Sequence, residues 1–227
     1  MLDIENERIL IIAPHADDEI LGCGGLIERA CRKNIELKVI IAAVGNMKHP
    51  HNDAIITRDV RKKEVQEALN YLGCSQFEVM FDDKDSELDT IPKKELVGKL
   101  DQILTDFSPT MVFIPLPSYH QDHQVLFDVC ISALRPNPSK QYKLIAMYEY
   151  PLIVWQHRSF WNIGEAFLDI SDTIDKKIAA FEKHKSQLRS ASHLISPQTV
   201  KKWAEMRGLE VGYKYAEKYY ILKLLMN

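Results

Sequence analysis

Short runs of aliphatic and β-branched residues recur along the first two thirds of the chain and predict buried strands. The runs show little alternation between polar and apolar positions, which is typical of strands that are covered on both faces in a parallel sheet. We therefore expect strands at Arg8 to Ala13, Leu37 to Val44, Phe77 to Phe81, Thr110 to Ile114 and Leu144 to Tyr148.

The segments between these strands have the spacing of amphipathic helices. Leu96, Leu100 and Ile103, for example, recur every three or four residues and form one apolar stripe. The predicted helices are Asp18 to Lys33, Arg58 to Leu72, Pro92 to Asp106 and His120 to Leu134. This alternation of strand and helix is typical of the α/β class, and it predicts a doubly wound, mostly parallel sheet with helices on both faces.

The alternation weakens beyond residue 134. Residues 135–138 (RPNP) and an aromatic stretch around Trp155 and Trp161 indicate irregular structure at the surface. One more amphipathic helix is expected from Ser171 or Asp172 to Leu188, with Ser171 or Asp172 as its N-cap. Because no repeat or clear linker interrupts the 227 residues, we expect residues 1–227 to form a single domain.

The composition is that of an ordinary globular protein, with 46% hydrophobic and 27% charged residues. A formal net charge of −3 gives no basic footprint for nucleic acid. No apolar run reaches the roughly 20 residues that span a membrane. From these features we expect a small molecule as the binding partner. The sequence is also compatible with a homo-oligomer.

The cysteines and the N-terminal segment bear on the compartment. The chain has no C-x-x-C pair, and its cysteines are interpreted as reduced, buried thiols: Cys23, Cys31, Cys74 and Cys130. The N-terminal segment leaves no room for a cleavable secretion signal before the motif PHADDE. We therefore expect a cytoplasmic protein.

A histidine and a group of acids follow the first predicted strand, in the sequence PHADDEILGCGG. His15 and Asp18 are three residues apart across a strand-to-helix turn, where both can converge on one metal ion. Asp17 is then free for proton transfer. Taken alone, however, Asp17, Asp18 and Glu19 are more often residues that cap a helix and complement its dipole.

Three glycines within the same segment raise a second alternative, a dinucleotide-binding loop. That loop requires its glycines at the turn itself, whereas Gly22, Gly24 and Gly25 come later and acids occupy the turn. The acids would also repel a pyrophosphate. We attribute the glycines to close packing of the helix on its neighbours.

A second cluster, PLPSYHQDHQ, follows the strand predicted at Thr110 to Ile114. Its histidines, His120 and His123, would be weak evidence for a metal site on their own, since exposed histidines are common in helix-opening turns. Ligand sites form at the carboxyl ends of parallel strands, and both clusters lie at such ends. If the two strands are neighbours, His123 completes a His/Asp/His site with open positions, as a catalytic zinc requires.

With both clusters identified, the sequence resembles the PIG-L/LmbE-like family of N-acetylglucosaminyl deacetylases. The family motifs are (A/P)-H-P-D-D-E and H-x-D-H, and Ala16 replaces the usual proline of the first. The similarity extends through residues 57–64 (TRDVRKKE), 148–149 (YE) and 183–187 (KHKSQ) to the tail RGLEVGYKYAEKY, so it covers nearly the whole chain.

The resemblance implies a Rossmann-like fold and a metal-dependent hydrolase that removes the acetyl group from an N-acetylated amino sugar or its conjugate. It implies His15, Asp18 and His123 as metal ligands. It also implies Asp17 as the general base and a protonated His120 as the group that stabilises the oxyanion or acts as the acid. The expected cofactor is Zn²⁺, with another divalent ion such as Fe²⁺ as the alternative. Such an ion polarises an amide carbonyl and activates water, which suits these roles.

Three more residues are candidates for substrate contacts. Arg61 could anchor a hydroxyl, phosphate or carboxylate, although a surface arginine paired with Glu64 on its own helix explains it equally well. By resemblance Arg135 and Glu149 fit polar substrate contacts, but each could instead be an ordinary ion-pair partner. No firm role is assigned to four others: Glu19, His49, His51 and His184.

Two other classes of function are compatible with these patterns. One is a metal-dependent amidase or esterase that acts on another small substrate. The other is a sugar- or nucleotide-binding module without catalysis, in which the acids only cap helices. The metal content of the protein and the products that it releases distinguish these functions from deacetylation.

Overall fold

The computed structural model describes residues 6–48, 54–138, 140–151 and 163–226, which form a central sheet flanked by helices. Along the chain the strands are β1 (Arg8–Ala13), β2 (Glu36–Val44), β3 (Met47–Lys48), β4 (Ile55–Ile56), β5 (Phe77–Asp82), β6 (Met111–Pro115), β7 (Leu144–Tyr148), β8 (Gly164–Asp169) and β9 (Ala216–Leu224). Seven strands form the sheet in the order β5-β2-β1-β6-β7-β9-β8, and β3 pairs with β4 in a small separate ribbon. The five strands β5, β2, β1, β6 and β7 are parallel to one another, whereas β9 is antiparallel to both of its neighbours, β7 and β8.

The helices cover both faces of this sheet, as predicted. In chain order they are α1 (Asp18–Arg32), α2 (Arg58–Tyr71), α3 (Lys93–Phe107), α4 (Gln121–Ala133), α5 (Ile174–Phe181) and α6 (Pro197–Leu209). Alternate residues of β1 point to opposite faces of the sheet. Ile9 and Ile11 belong to the core under α1, α2 and α5, while Leu10 and Ile12 belong to the core under α3 and α4. The doubly wound α/β fold is confirmed.

The C-terminal third differs from the prediction. The pattern indicated neither β8 and β9 nor α6. The helix predicted to reach Leu188 ends at Phe181 as α5, and its N-cap position is held by Thr173, not by Ser171 or Asp172. Asp172 instead forms an ion pair with Arg32. Trp155 and Trp161, like His49 and His51, lie outside the described residues.

The order of strands brings the two predicted clusters together. β1 pairs with β2 on one side and with β6 on the other, so the chain reverses its direction of winding at β1. Ligand crevices in doubly wound folds form at such a switch point, outside the carboxyl ends of the strands. The segments that follow β1 and β6 therefore share one edge of the sheet.

Gly22 and Gly25 allow α1 to lie close against its neighbours. A Cβ atom built on Gly22 would lie 2.1 Å from the ring of Tyr148, and one built on Gly25 would lie 2.4 Å from Ile170. Both distances are far below van der Waals contact, so no larger residue fits at either position without displacing its neighbour. The interpretation of these glycines as packing residues is confirmed.

The described residues also bear on membranes and cysteines. Within these ranges, no helix is both long enough and apolar enough to cross a bilayer. All four cysteines are free thiols; Cys31 is partly exposed, and the other three are buried.

Candidate metal centre and active site

The turn between β1 and α1 holds the first cluster in a strained conformation. Asp17, at the N-cap position of α1, has φ 120° and ψ −28°, and such conformations cost a residue other than glycine about 1–3 kcal/mol. Its carboxylate makes no capping hydrogen bond. Instead, Glu19 accepts the N–H of Asp17 at 2.9 Å and Asp18 accepts the N–H of His15 at 3.2 Å. The carboxylate of Asp17 lines a pocket, so helix capping does not explain this residue.

The turn between β6 and α4 presents the second cluster. His120 is the N-cap of α4, and its Nδ1 accepts the N–H of Asp122 at 3.2 Å. His123 lies in the first turn of α4 and is 3% exposed. The rings of His15, His120 and His123 have centroids 4.8, 5.5 and 5.6 Å apart. The structure thus joins two clusters that are about a hundred residues apart in the sequence.

His15, Asp18 and His123 have the geometry of a metal site. Nδ1 of His15 lies 3.5 Å, and Nε2 of His123 lies 3.3 Å, from the same oxygen, Oδ2 of Asp18. One ligand atom from each residue lies within 4.8 Å of the other two. Ligands bonded at 2.0–2.1 Å to a tetrahedral zinc lie about 3.3 Å from one another, close to two of these separations. The three residues can therefore hold a metal ion with little movement.

Asp122 fixes the orientation of His15. Its carboxylate lies 2.8 Å from Nε2 of His15 and also accepts the N–H groups of Ser86 at 2.7 Å and Leu88 at 3.0 Å. A histidine that donates Nε2–H to a carboxylate keeps the lone pair of Nδ1 for a metal, and such a partner raises its strength as a ligand. Asp122 was not predicted as a site residue, although it stands between His120 and His123 in the motif HQDH.

The ionisable groups of the site strongly shift one another. Burial disfavours the charged form of His15, but Asp122 and Asp18 outweigh burial and raise the pKa of His15 to about 10. Burial also opposes ionisation of Asp18, yet His123 and His15 hold its pKa far below the usual range. Imidazoles and carboxylates that share protons in this way also attract a divalent cation, which competes with those protons.

The two proposed catalytic residues are shifted in opposite directions. Burial, reinforced by the charge of Asp18, raises the pKa of Asp17 well above its ordinary value. Burial, together with the charges of His15 and His123, lowers the pKa of His120. In addition, protonation of Nδ1 would remove the hydrogen bond that His120 accepts as N-cap. Both effects favour a neutral His120 whose remaining proton is on Nε2.

A pocket of about 190 Å³ opens over these residues. Arg61 lines it, as does Asp85, with which Arg61 forms an ion pair. Arg61 is 3% exposed and also donates to the carbonyl of Gly45 at 3.0 Å. The alternative of a surface arginine paired with Glu64 is therefore wrong. Five further residues, which were not predicted as part of the site, also line the pocket: Met47, Ser86, Tyr119, Gln187 and Ile195.

The structure does not bring Arg135 or Glu149 to this pocket. Arg135 lies just beyond the C-terminal end of α4, exposed, and pairs with Asp101 at 3.0 Å. Because His120 begins the same helix, its 13 residues separate Arg135 from the site. Glu149 is buried, but it binds Arg207 and accepts Nε1–H of Trp203 at 3.0 Å. Both residues therefore form ion pairs within the protein and do not line the substrate pocket.

Two residues without an assigned role form a pair beneath the site. His184 and Glu19 are both fully buried, with 2.9 Å between Nε2 of His184 and Oε1 of Glu19. His184 follows α5 directly, in a segment whose Gln187 reaches the pocket. A lone histidine in a late segment gives no sequence signal for such a pair.

Comparison with known proteins agrees with this geometry. The family model described as "PIG-L: GlcNAc-PI de-N-acetylase" matches residues 10–134, which include both clusters. A probable N-acetyl-alpha-D-glucosaminyl L-malate deacetylase 2 of Bacillus anthracis is 27% identical over 195 residues, 81% of this chain and 83% of that protein. The uncharacterized deacetylase YaiS of Escherichia coli is 29% identical over 197 residues, 82% of this chain and 96% of that protein.

Solved structures show the same architecture. N,N'-diacetylchitobiose deacetylase from Pyrococcus horikoshii superposes with a TM-score of 0.78 at 23% identity, over 97% of this chain and 87% of that one. At that identity the likeness shows the fold alone. The family match covers more than half of the chain and both ligand-bearing turns, and on that ground the chain belongs to the PIG-L family.

Proposed function

We propose that the protein is a zinc-dependent hydrolase that removes the acetyl group from an N-acetylated amino sugar or a conjugate of one. The observation that carries this proposal is the convergence of His15, Asp18 and His123 beside Asp17, a buried carboxylate that does not cap its helix. Membership of the PIG-L family supports the reaction. The relative named as a probable N-acetyl-alpha-D-glucosaminyl L-malate deacetylase supports the class of substrate.

The donor set fits zinc. Two imidazole nitrogens and one carboxylate oxygen, with further positions open to the pocket, are the ligands of many catalytic zinc sites. Ferrous iron binds the same set of donors and is the alternative cofactor. Bound among these residues, the ion supplies a Lewis acid for the acetyl carbonyl and a water of lowered pKa.

Asp17 acts as the proton carrier in this proposal. It takes a proton from the attacking water, while the oxygen of that water bonds to the acetyl carbon. It then returns the proton to the amide nitrogen as the C–N bond breaks. The products are acetate and the free amino sugar. Burial is the largest cause of the raised pKa of Asp17, and it strengthens this carboxylate as a base.

His120 stabilises the charge that develops on the carbonyl oxygen. A protonated His120 was predicted from the sequence, but the lowered pKa of His120 and the hydrogen bond that its Nδ1 accepts favour the neutral ring. A neutral ring with its proton on Nε2 still donates one hydrogen bond to the oxyanion. Such a preorganised donor typically contributes 10²–10³-fold to turnover, about 2.7–4 kcal/mol.

The pocket is suited to a small polar ligand. Its volume of about 190 Å³ lies below the roughly 300–1,000 Å³ of sites for drug-sized ligands. Arg61 and Gln187 offer hydrogen-bond donors, and Tyr119 and Tyr150 offer aromatic faces. We assign Arg61 the role of an anchor for a hydroxyl or acidic group of the substrate.

Three broader predictions accompany this function. We infer one domain for residues 1–227, supported by a sheet that takes strands from both ends of the chain. Free thiols support a reducing, cytoplasmic location. Self-association stays a prediction, which measurement of molecular mass in solution tests.

The decisive experiment is a screen of N-acetylhexosamine conjugates for release of both a primary amine and acetate, with and without a chelator. We expect release that stops on chelation and returns when zinc is added. Metal analysis of protein purified without oxygen distinguishes zinc from iron. Release of another acid or of an alcohol would establish the amidase or esterase alternative. Protein that binds sugar but carries no metal would establish the binding module.

A further inference from the structure

The fully buried pair of His184 and Glu19 is hydrogen-bonded to the backbone N–H of Asp17, the proposed base. One carboxylate oxygen of Glu19 lies 2.9 Å from Nε2 of His184, and the other accepts the N–H of Asp17, also at 2.9 Å. Both side chains are 0% exposed. One carboxylate therefore links a residue beyond α5 to the peptide group of Asp17. In either protonation state, His184 can donate Nε2–H to Glu19.

The peptide group that Glu19 holds is the strained one. Asp17 has φ 120°, a conformation that persists in a residue other than glycine only when its surroundings fix it. At an ordinary N-cap geometry, an aspartate side chain turns back to accept the N–H groups of its own helix. The carboxylate of Asp17 would then cap α1 and leave the pocket.

The surroundings of His184 keep it against Glu19. Its charged neighbours are the carboxylates of Glu19, Asp17 and Glu64. Glu64, on α2, accepts the N–H of Ser186 at 3.0 Å and binds its hydroxyl as well. The segment that carries His184 is thus tied to α1 through Glu19 and to α2 through Glu64.

We propose that Glu19 and His184 are positioning residues that hold Asp17 in the strained conformation needed for proton transfer. This inference rests on the proposed role of Asp17 as the base. His184 orients the carboxylate of Glu19, Glu19 holds the N–H of Asp17, and the side chain of Asp17 consequently stays in the pocket. Neither residue needs to contact the substrate.

A second buried pair, Lys177 of α5 and Glu217 of β9, packs against α1 and provides the matched control. Lys177 and Glu217 lie 2.7 Å apart, are almost fully buried, and bind α1 through the carbonyl of Leu21 and the N–H of Gly25. Neither residue contacts Asp17 or lines the pocket of the site. Removing His184 or Lys177 takes the ion-pair partner from a buried carboxylate, so we expect both changes to destabilise the fold.

The test compares His184→Leu, His184→Gln and Lys177→Met in the zinc-loaded protein. We expect His184→Leu to lower kcat about 10–100-fold, with KM changed by less than about twofold and zinc content unchanged. His184→Gln should restore most of kcat, because its side-chain amide can donate to Glu19 from near the position of Nε2. Lys177→Met should lower the thermal midpoint without lowering kcat.

Two further measurements connect the effect to Asp17. In an Asp17→Asn background, His184→Leu should cause no additional loss of kcat, since it acts through Asp17. A crystal structure of His184→Leu should show Asp17 at negative φ with its carboxylate capping α1. The inference is overturned if Asp17 keeps its positive φ in that structure. It is also overturned if His184→Leu lowers kcat no more than Lys177→Met does, or if zinc is lost in parallel.

These results separate the inference from the proposed function. If the wild-type protein deacetylates no substrate, the proposed function fails, and the conformation of Asp17 in crystal structures of the wild type and of His184→Leu alone decides the inference. If the wild-type protein is active and His184→Leu is equally active, only the inference fails.

Discussion

Two clusters of buried charge in this protein are built in opposite ways. In the first, around Glu149, permanent cations meet the carboxylates. Arg207 binds both Glu149 and Glu210, and Lys218 binds Glu210 at 2.9 Å and Glu165 at 2.8 Å. Glu149 and Lys218 are buried, and each has an oppositely charged partner within the chain. The cluster needs nothing from outside the chain.

In the second cluster, around the metal centre, the charges of the chain do not balance. The pocket is lined by Asp17, Asp18 and Asp85, and among the described residues Arg61 is its only permanent cation. Histidines and protons compensate for the remaining charge, as the raised pKa of His15 shows. The comparison teaches that burial of charge does not identify a functional site. A functional site is indicated instead by buried carboxylates that lack permanently charged partners within the chain, because a cation from solution can bind there.

Removing a metal ligand should have the largest effect. In His123→Ala, one of the three donors is gone, and we expect zinc content to fall from about one per chain to near zero. Turnover should drop on the order of 10³-fold or more, since the ion contributes several kcal/mol to transition-state stabilisation. Metal analysis beside the amine-release assay measures both effects. Full retention of zinc would show that His123 is not a ligand.

Removing the proposed base should affect turnover but not metal. Asp17→Asn keeps the shape of the side chain and abolishes its basicity, so we expect kcat to fall about 10²–10⁴-fold while zinc content stays unchanged. The same two assays test this. Loss of zinc equal to that in His123→Ala would show that the roles of Asp17 and Asp18 are exchanged.

The two candidate arginines should differ in their effect on substrate affinity. Arg61→Gln removes a charged donor from the pocket, and since hydrogen bonds to charged groups contribute about 1.5–3 kcal/mol, we expect KM to rise about tenfold or more. Arg135→Gln is the matched control, because Arg135 pairs with Asp101 away from the pocket. Equal kinetics in the two variants would exclude Arg61 as an anchor.

Breaking the balanced cluster should change stability alone. Arg207→Leu leaves Glu149 buried without its cation, which costs about 3–5 kcal/mol and lowers the thermal midpoint on the order of 10 °C. The kcat of the folded protein should be unchanged, because neither residue lines the active-site pocket. A large loss of kcat at a temperature where the variant is fully folded would contradict the contrast between the clusters.

The last prediction concerns the pH dependence of stability in protein stripped of metal by a chelator. The pKa of His15 is raised in the folded chain from 6.5 to about 10. Its stabilising contribution is therefore complete below about pH 6.5 and is lost as pH rises towards 10. The thermal midpoint of the wild type should exceed that of His15→Gln by a margin that narrows over this range. A margin that widens with pH would contradict the proton-sharing arrangement.

Much of the site could be predicted from the sequence because its signals are local. The aliphatic runs of β1 and β6 and the motifs PHADDE and HQDH each lie within a few residues. Parallel topology then places both at one edge. The predicted metal site required β1 and β6 to be neighbours in the sheet, and their pairing confirms this.

The rest depends on contacts that no short segment encodes. Glu149 was predicted as a possible substrate contact, but α6, which was not predicted, supplies Arg207 and Trp203 as its partners. The strand β9 mixes polar and aromatic residues and is partly exposed in its second half, so it lacks the aliphatic run that predicts a buried strand. The protonation state of His120 follows from a capping bond within its own helix, which the motif does not reveal.

The distance along the chain between the two ligand-bearing turns has a consequence for biosynthesis. His15 and Asp122 are separated by 107 residues, and β1 must pair with β6 before the imidazole and the carboxylate meet. A chain leaving the ribosome can therefore assemble this metal centre only after more than half of it has emerged and the central strands have closed. Metal binding by this group would thus report that β1 and β6 have paired, and a nascent or truncated chain that ends before α4 lacks His123 and has an incomplete ligand set.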